Sequence, residues 1–354
     1  MEIDYEVLVF DTNPDNRILA AEHGVGLDIL VNDPVPEVRL AVAMQGYRLE
    51  VFVNDPDPLV RETAMYLSYM TDKNPYNRIE AAEHGFGLDS LICDEDCRVR
   101  EAVAEQGHRL DILIKDKNWR VRQAVAKQGY RLDILIDDQD SRVRREVARQ
   151  NYKLDVLIND PDAYVRTAVA EQNYALDILV YDEDWSVRAA VANQGYSLNI
   201  LVNDDDECVR AAVAKQGYKL DVLVKDEDAY VRAAVAEQRF GLDTLIKDKD
   251  WTVRSAVANQ GYRLDVLVND KHWQVRRAVA NQGYALDILV HDEDEDVRKA
   301  VAGQGYGLDI LIHDPDAEVR LAVAMQGYQL DTLVNDPNPD VRKAAEEALY
   351  RVNN

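Results

Sequence analysis

Apolar residues recur along this chain at helical spacing and in a fixed order. Asp116–Asp137 (DKNWRVRQAVAKQGYRLDILID) and Asp248–Asn269 (DKDWTVRSAVANQGYRLDVLVN) match position by position, and the period is 22 residues. Such self-similarity is the signature of stacked repeats. Repeats begin at Asp11, Asp33, Asp55 and Asp72, then every 22 residues to Asp336. Each reads D-x-D-x-x-V-R-x-A-V-A-x-Q-G-Y-x-L-D-x-L-V-x. Val at position 6 and Val at position 10 lie one helical turn apart, with small Ala at 9 and 11 allowing close approach, so the spacing predicts a helix over about positions 3–12. Asp at position 1, often followed by Pro, is expected to cap that helix, and Gly at position 14 to end it. Leu at positions 17 and 20, with Val at position 21, forms a shorter apolar stripe, which predicts a brief α or 3-10 turn over about 15–21. One such repeat cannot bury its apolar face alone; stacked neighbours can. The expected fold is all-α, a solenoid of 22-residue two-helix repeats.

The motif D-P-x-x-x-V-R-x-x-V-A, followed by a short L-x-x-L segment, resembles the leucine-rich repeat variant, an α-helical relative of HEAT-type arrays. The likeness runs from Asp11 to Asn354. It implies alternating α and 3-10 helices in a right-handed superhelix. It also implies that Asp at position 1 and Arg at position 7 form a ladder between repeats. One type in that family carries a cysteine-ligated iron–sulfur cluster near its N-terminus; here no cysteine precedes Cys93, so the feature is not transferred.

Two repeats differ from the rest in the same way. Those at Asp11 and Asp72 share Asn16 and Asn77 where others have Val, and His23 and His84 where other full repeats have Gln. Both have the character of a first repeat. The repeats at Asp55 and Asp336 lack the L-D-x-L-V segment and have the character of a last one. The expectation is a short array over 1–71, fused to a long array over 72–354 that closes on a capping helix. The deletion after Asp55 should alter stacking near Thr71.

Charge narrows the function. Sixty-six acidic residues against 41 basic ones give −25, which disfavours direct nucleic-acid binding and docking on anionic lipid. Nothing approaches a membrane span, and Met1–Phe10 is acidic, unlike a signal segment. Three cysteines (Cys93, Cys97, Cys208) cannot build a disulfide framework, which fits a reducing, cytoplasmic location. Much of the acidic excess sits at position 3 (Asp96, Asp140, Asp162, Asp184 and equivalents) and at position 18 (Asp28, Asp89, Asp111, Asp133 and equivalents), the starts of two helices, where carboxylates suit the dipole. Spread along sixteen repeats about 9 Å apart, the net charge is about a third as dense as that of duplex DNA. An acidic mimic of nucleic acid, inhibiting a nucleic-acid enzyme, is therefore the alternative rather than the main reading.

Arg at position 7 occurs in all sixteen repeats, from Arg17 to Arg342, and is read as structural. It is expected to pair with the Asp six residues before it and with a neighbouring repeat's Asp. Gln at position 13 should bond loop backbone between repeats, and Tyr at position 15 should be a packed ring with its hydroxyl at the rim. Variation gathers at positions 4, 5, 8, 12, 16 and 22. Positions 4, 8 and 12 share a helix face. All four tryptophans, Trp119, Trp185, Trp251 and Trp273, stand at position 4, and Tyr76, Tyr164 and Tyr230 at position 5. Arg145 and Arg149, with Lys127, Lys215 and Arg277, occupy positions 8 and 12. Trp, Tyr and Arg together have the composition of interface hot spots, so these residues are the candidate partner-binding set; inter-repeat packing is the competing account of the tryptophans.

Phosphate loops, G-x-G-x-x-G and H-E-x-x-H motifs are absent from the sequence. Cys93 and Cys97 have no second pair for zinc, and His291 and His313 are one repeat apart, too far to share a metal. No cofactor and no metal are expected. The resulting expectation is a non-catalytic scaffold binding a macromolecule, most readily a protein with a basic patch. A second alternative is an enzyme with a cleft at the array junction.

Overall fold

The computed structural model describes residues 4–353, with side chains to Arg351. Residues 1–3 of the Met1–Phe10 segment and of the expected first array, and Asn354, lie outside it. Among the described residues every regular element is a helix. The chain falls into two compact units, Met1–Gln172 and Asn173–Asn354, and each is a stack of two-helix repeats.

The repeat at Asp248 shows the local logic. Its first helix is Trp251–Asn259 and its second Leu264–Leu267, positions 4–12 and 17–20. Both are shorter than the periodicity predicted, and the reason lies at the caps. Position 3, not position 1, is the N-cap: Asp250 has extended backbone, and its carboxylate accepts the Thr252 N–H at 2.8 Å. The position-1 carboxylate makes a turn before the helix instead, Asp248 accepting from the Asp250 N–H at 2.9 Å. The acidic residues at position 3 thus serve as caps rather than as first-turn charges. At the other end, Gly261 at position 14 has φ +70, and in the next repeat, where Gly283 is left-handed likewise, the Tyr284 N–H reaches back to the Val279 carbonyl at 3.4 Å, the hydrogen bond that closes a helix on a left-handed residue. Position 16 is left-handed as well, even where it is Arg131, Ala175 or Ala285, and it confines the second helix to one turn.

First helices of successive repeats pack on one another within each compact unit. Val253 and Val257 and Ala258 are fully buried and Leu267 is 2% exposed, so positions 6, 10, 11 and 20 make the core. Alanine at 9 and 11 lets the backbones approach; larger residues there would part the helices.

The Arg–Asp ladder threads this core. Arg254 donates from Nε and Nη2 to both oxygens of Asp270 at 2.6 and 2.8 Å, and from Nη1 to the backbone carbonyl of Asp248 at 2.8 Å. The expected contact with the carboxylate six residues back is replaced by one with that residue's backbone oxygen. Its carboxylate is already taken by the arginine of the preceding repeat. The same geometry links Arg17 to Asp33, Arg100 to Asp116 and Arg144 to Asp160 in the first compact unit, and Arg188 to Asp204 through to Arg320 and Asp336 in the second. Gln at position 13 acts as expected: Gln128 Nε2 donates to the Glu105 carbonyl at 2.9 Å and Gln216 to that of Asn193 at 3.1 Å, satisfying the end of the preceding first helix.

The two unusual repeats are explained by what precedes them. Asp11 and Asp72 receive no arginine fork, and instead Asn16 and Asn77 donate to their carboxylates at 2.9 and 3.0 Å. Arg61, in the shortened repeat, donates only to the Asp55 carbonyl among its described hydrogen bonds. His23 and His84 each bond a carbonyl of their own helix, and each stacks on a tyrosine: Tyr5 on His23 at 4.0 Å between ring centres, Tyr66 on His84 at 4.1 Å. A further pair recurs, Val9 against Gly26 and Met70 against Gly87, so close that a Cβ on either glycine would overlap them. The shortened repeat has no second helix; its first helix lengthens to Pro58–Tyr69, as the last one does to Pro339–Asn353.

Candidate interaction faces

The first helices carry the variable positions, and their cap geometry decides how each side chain is presented. Position 5 points outward: Tyr76 is 66% exposed, Tyr164 67% and Tyr230 50%. Position 4 lies closer to the next repeat. Trp185 is 46% exposed, while Trp119, Trp251 and Trp273 are half-buried. Their rings take partners: the Arg142 guanidinium lies 3.6 Å from the Trp119 ring centre, and the His272 ring stacks on Trp251 at 4.6 Å with its planes 4° apart. Arg277 sits over Trp273 at 5.1 Å. Inter-repeat packing therefore uses Trp119 and Trp251, Trp273 takes its partner within its own helix, and Trp185 stands most open.

The arginines also divide. Arg149 is exposed and lies 3.9 Å from both Glu146 and Glu171. Arg145 at position 8 is half-buried, and its Nε is buried without a hydrogen-bond partner among the described residues. Position 8 leans toward the neighbouring first helix, so positions 4, 8 and 12 do not form one open strip. Beside Tyr76, Arg98 lies 5.0 Å from the ring centre and forks onto Asp96. That guanidinium holds the Asp96 carboxyl down at about 2. Lys215 Nζ donates to the Tyr230 hydroxyl at 3.3 Å.

Sequence reasoning missed a second face. Position 19, third residue of each short helix, is an exposed aliphatic in most repeats, among them Ile112 and Ile134 in the first compact unit and Ile178, Val222 and Ile288 in the second. On a single turn spanning 17–20, residues 17 and 20 turn inward and 19 must turn out. The signal was the β-branched residue itself, kept where a solvated turn would tolerate any polar one. Asp at position 18 stands beside it, exposed in the same way. Tyr at 15 is half-exposed, as Tyr196 and Tyr284 show at 39% and 41%, and its hydroxyl can reach the preceding repeat's position 18: Tyr262 donates to Asp243. His108 meets Asp89 likewise at 2.8 Å.

Between successive short helices run open grooves floored by the ladder. One, of about 700 Å³, is bounded by Cys93, Glu95, Arg100, Asp111, Ile112 and Lys117. The same positions bound grooves near Arg210, Arg276 and Arg320. The groove at Cys93 lies one repeat beyond the expected array junction, and it is one copy of a repeated feature with no convergent polar set of its own. No group of three His, Cys, Asp or Glu suited to a metal occurs among the described residues, and the three cysteines are unpaired. No described helix is long and apolar enough to cross a membrane.

No protein-family model matches the chain, and no curated protein sequence matches it. Solved structures similar to it include a chain from the structure in which Kap95p binding induces the switch loops of RanGDP to adopt the GTP-bound conformation. That chain is 12% identical with a TM-score of 0.30; the match covers 98% of this chain and 60% of that one. A chain from the study of tubulin recruitment by microtubule polymerases with TOG domain arrays is 11% identical with a TM-score of 0.19, over 97% and 92% of the two chains. A chain from the crystal structure of Kap121p bound to Ste12p is 12% identical with a TM-score of 0.22, over 98% and 44%. This chain thus spans less than two thirds of the first and third. Likeness at these scores adds nothing to the helix packing. That packing is an α-solenoid of two-helix repeats.

Proposed function

We propose that this chain is a non-catalytic, cytoplasmic scaffold of leucine-rich repeat variant type that binds a protein partner through its first-helix face. The supporting observation is the outward presentation of Tyr76, Tyr164, Tyr230 and Trp185, large amphipathic rings at 46–67% exposure on an otherwise charged surface. Such rings contribute little where they stand and much once a partner covers them. Trp119, Trp251, Trp273 and Arg145 support that face from below, and Arg149 borders it. Replacing Tyr76, Tyr164, Tyr230 and Trp185 together by Ala should leave helicity and thermal unfolding unchanged. It should also weaken a partner isolated with the wild-type chain at least about tenfold, roughly 1.4 kcal/mol. An unchanged affinity would sink the reading; displacement of the partner by duplex DNA would favour the acidic-mimic alternative.

We infer further that residues up to 71 and those from 72 are two arrays fused end to end. Support comes from the duplicated Asn–Asp, Tyr–His and apolar–Gly contacts at Asp11 and Asp72 and from the lost arginine fork between Arg61 and Asp72. Tyr66→Ala should then speed proteolysis within 70–74 selectively, read by mass spectrometry of limited digests. Uniform cleavage across repeats would count against the fusion.

A further inference from the structure

The row of exposed aliphatics on the second helices is unexplained by the fold. In the second compact unit Ile178, Ile200, Val222, Val266, Ile288 and Ile310 are 41–61% exposed, one per repeat, with Thr244 and Thr332 at the equivalent place in the other two repeats. A polar side chain at these places would cost little in packing, whereas a line of apolar ones is the mark of a surface that is covered in use. Each is preceded by an exposed Asp, save Asn199 beside Ile200. The grooves between them carry further carboxylates, each with a lysine near by: Asp205 and Glu227 with Lys225 near Val222, Glu293 with Lys271 near Ile288.

We propose that this ridge binds an extended basic polypeptide segment, one apolar residue per repeat with lysine or arginine beside it. Three arguments select that occupant. The exposed carboxylates flanking the ridge, save Asp265 which Arg263 already pairs, ask for cations on the partner. A second copy of this chain would bring an identical acidic ridge and a further charge of −25, and a nucleic acid or anionic lipid is repelled by the same groups. Spacing supplies the third. Packed helices repeat every 8–10 Å, a polyproline-II chain advances about 3.1 Å per residue with about three residues per turn, and so every third side chain falls on successive repeats and on one face. An α-helical partner brings a side chain to one face every ~5.4 Å and falls out of step.

The surface is distinct from the first-helix aromatics, and the two readings fail separately. The probe is a labelled 18-residue peptide, (Leu-Lys-Ser)6, compared by fluorescence anisotropy with a peptide of identical composition in shuffled order and with (Leu-Glu-Ser)6. The period-three peptide should bind at least about tenfold more tightly than the shuffled one, more weakly as salt rises, and the glutamate peptide should not bind. V266S/I288S/I310S should reduce affinity about tenfold or more with circular dichroism unchanged. D265N/D287N/D309N, isosteric and exposed, should flatten the salt dependence. The four-aromatic variant should bind the probe as wild type does. Equal affinity for ordered and shuffled peptides, an unaffected serine variant, or no binding below about 1 mM would each overturn the proposal. So would a wild-type dimer that the serine variant abolishes, because the ridge would then be a self-association surface.

Discussion

Arg254→Met is expected to destabilise the second compact unit by about 3–5 kcal/mol, the cost of leaving a buried carboxylate uncompensated. The Asp270 side chain is 9% exposed and the Arg254 side chain 8%, and both carboxylate oxygens face the guanidinium. With the arginine gone, Asp270 keeps only the His272 N–H at 2.9 Å, and the Asp248 carbonyl loses its donor. The diagnostic result is a reversal of sign. Asp270→Asn should harm the wild type, since it sets an amide against the arginine fork. In the Arg254→Met background the same change should restore stability, because a neutral amide is cheaper to bury and can still accept the His272 N–H. Urea unfolding followed by circular dichroism gives the four corners of this cycle. An unaltered midpoint in Arg254→Met would mean the ladder is dispensable. Arg263→Ala is the control: its pair with Asp265 has side chains 53% and 55% exposed, and its removal should leave no measurable loss. Because first helices pack on those of adjacent repeats, hydrogen exchange should rise in the repeats flanking Arg254 and fade with distance.

The ladder also shows what the sequence disclosed and what it withheld. That Arg17 through Arg342 are structural follows from their presence in every repeat, but which Asp each one holds does not. Arg and Asp are six apart within a repeat and 16 apart across repeats, and only the turn before the helix, with Asp248 bonded to the Asp250 N–H, leaves the carboxylate free for the earlier arginine. Helix existence was written in the Val and Ala spacing. Helix boundaries were not, because Asp at both positions 1 and 3 is a good cap and only the stacked neighbour decides between them. Trp119 and Trp251 were ambiguous for a related reason: the residues that cover them, Arg142 and His272, lie 23 and 21 positions further along. The ridge at position 19 went unread because Ile and Val inside L-x-x-L pass for core until the helix is known to be a single turn.

Acid should unfold the array abruptly. At Asp55 and Asp336 the hydrogen bonds from Arg39 and Arg320 hold the carboxyl below the usual range, against a smaller opposing effect of burial. At Asp33, Asp116, Asp204, Asp226, Asp248 and Asp270 burial is the largest single influence and pushes upward, but the guanidinium and a backbone N–H together outweigh it and these too lie low. A carboxyl whose folded value is depressed stabilises the fold fully above its unfolded value, about 3.9, and ceases to do so as pH falls through the folded value. The array should therefore have a flat stability profile from about pH 7 to 5 and a steep decline below about 4, with more than one proton taken up per molecule unfolded. Protonation at one rung strands its arginine and loosens the adjacent repeat, so each event favours the next. Urea midpoints measured from pH 7 to 3 test this, and the surface pairs supply the contrast. Raising salt at pH 7 should weaken exposed pairs such as Arg131–Asp133 with little effect on the midpoint, since rungs this buried are poorly screened. A gradual decline beginning near pH 6 would instead sink the ladder as the acid-sensitive element.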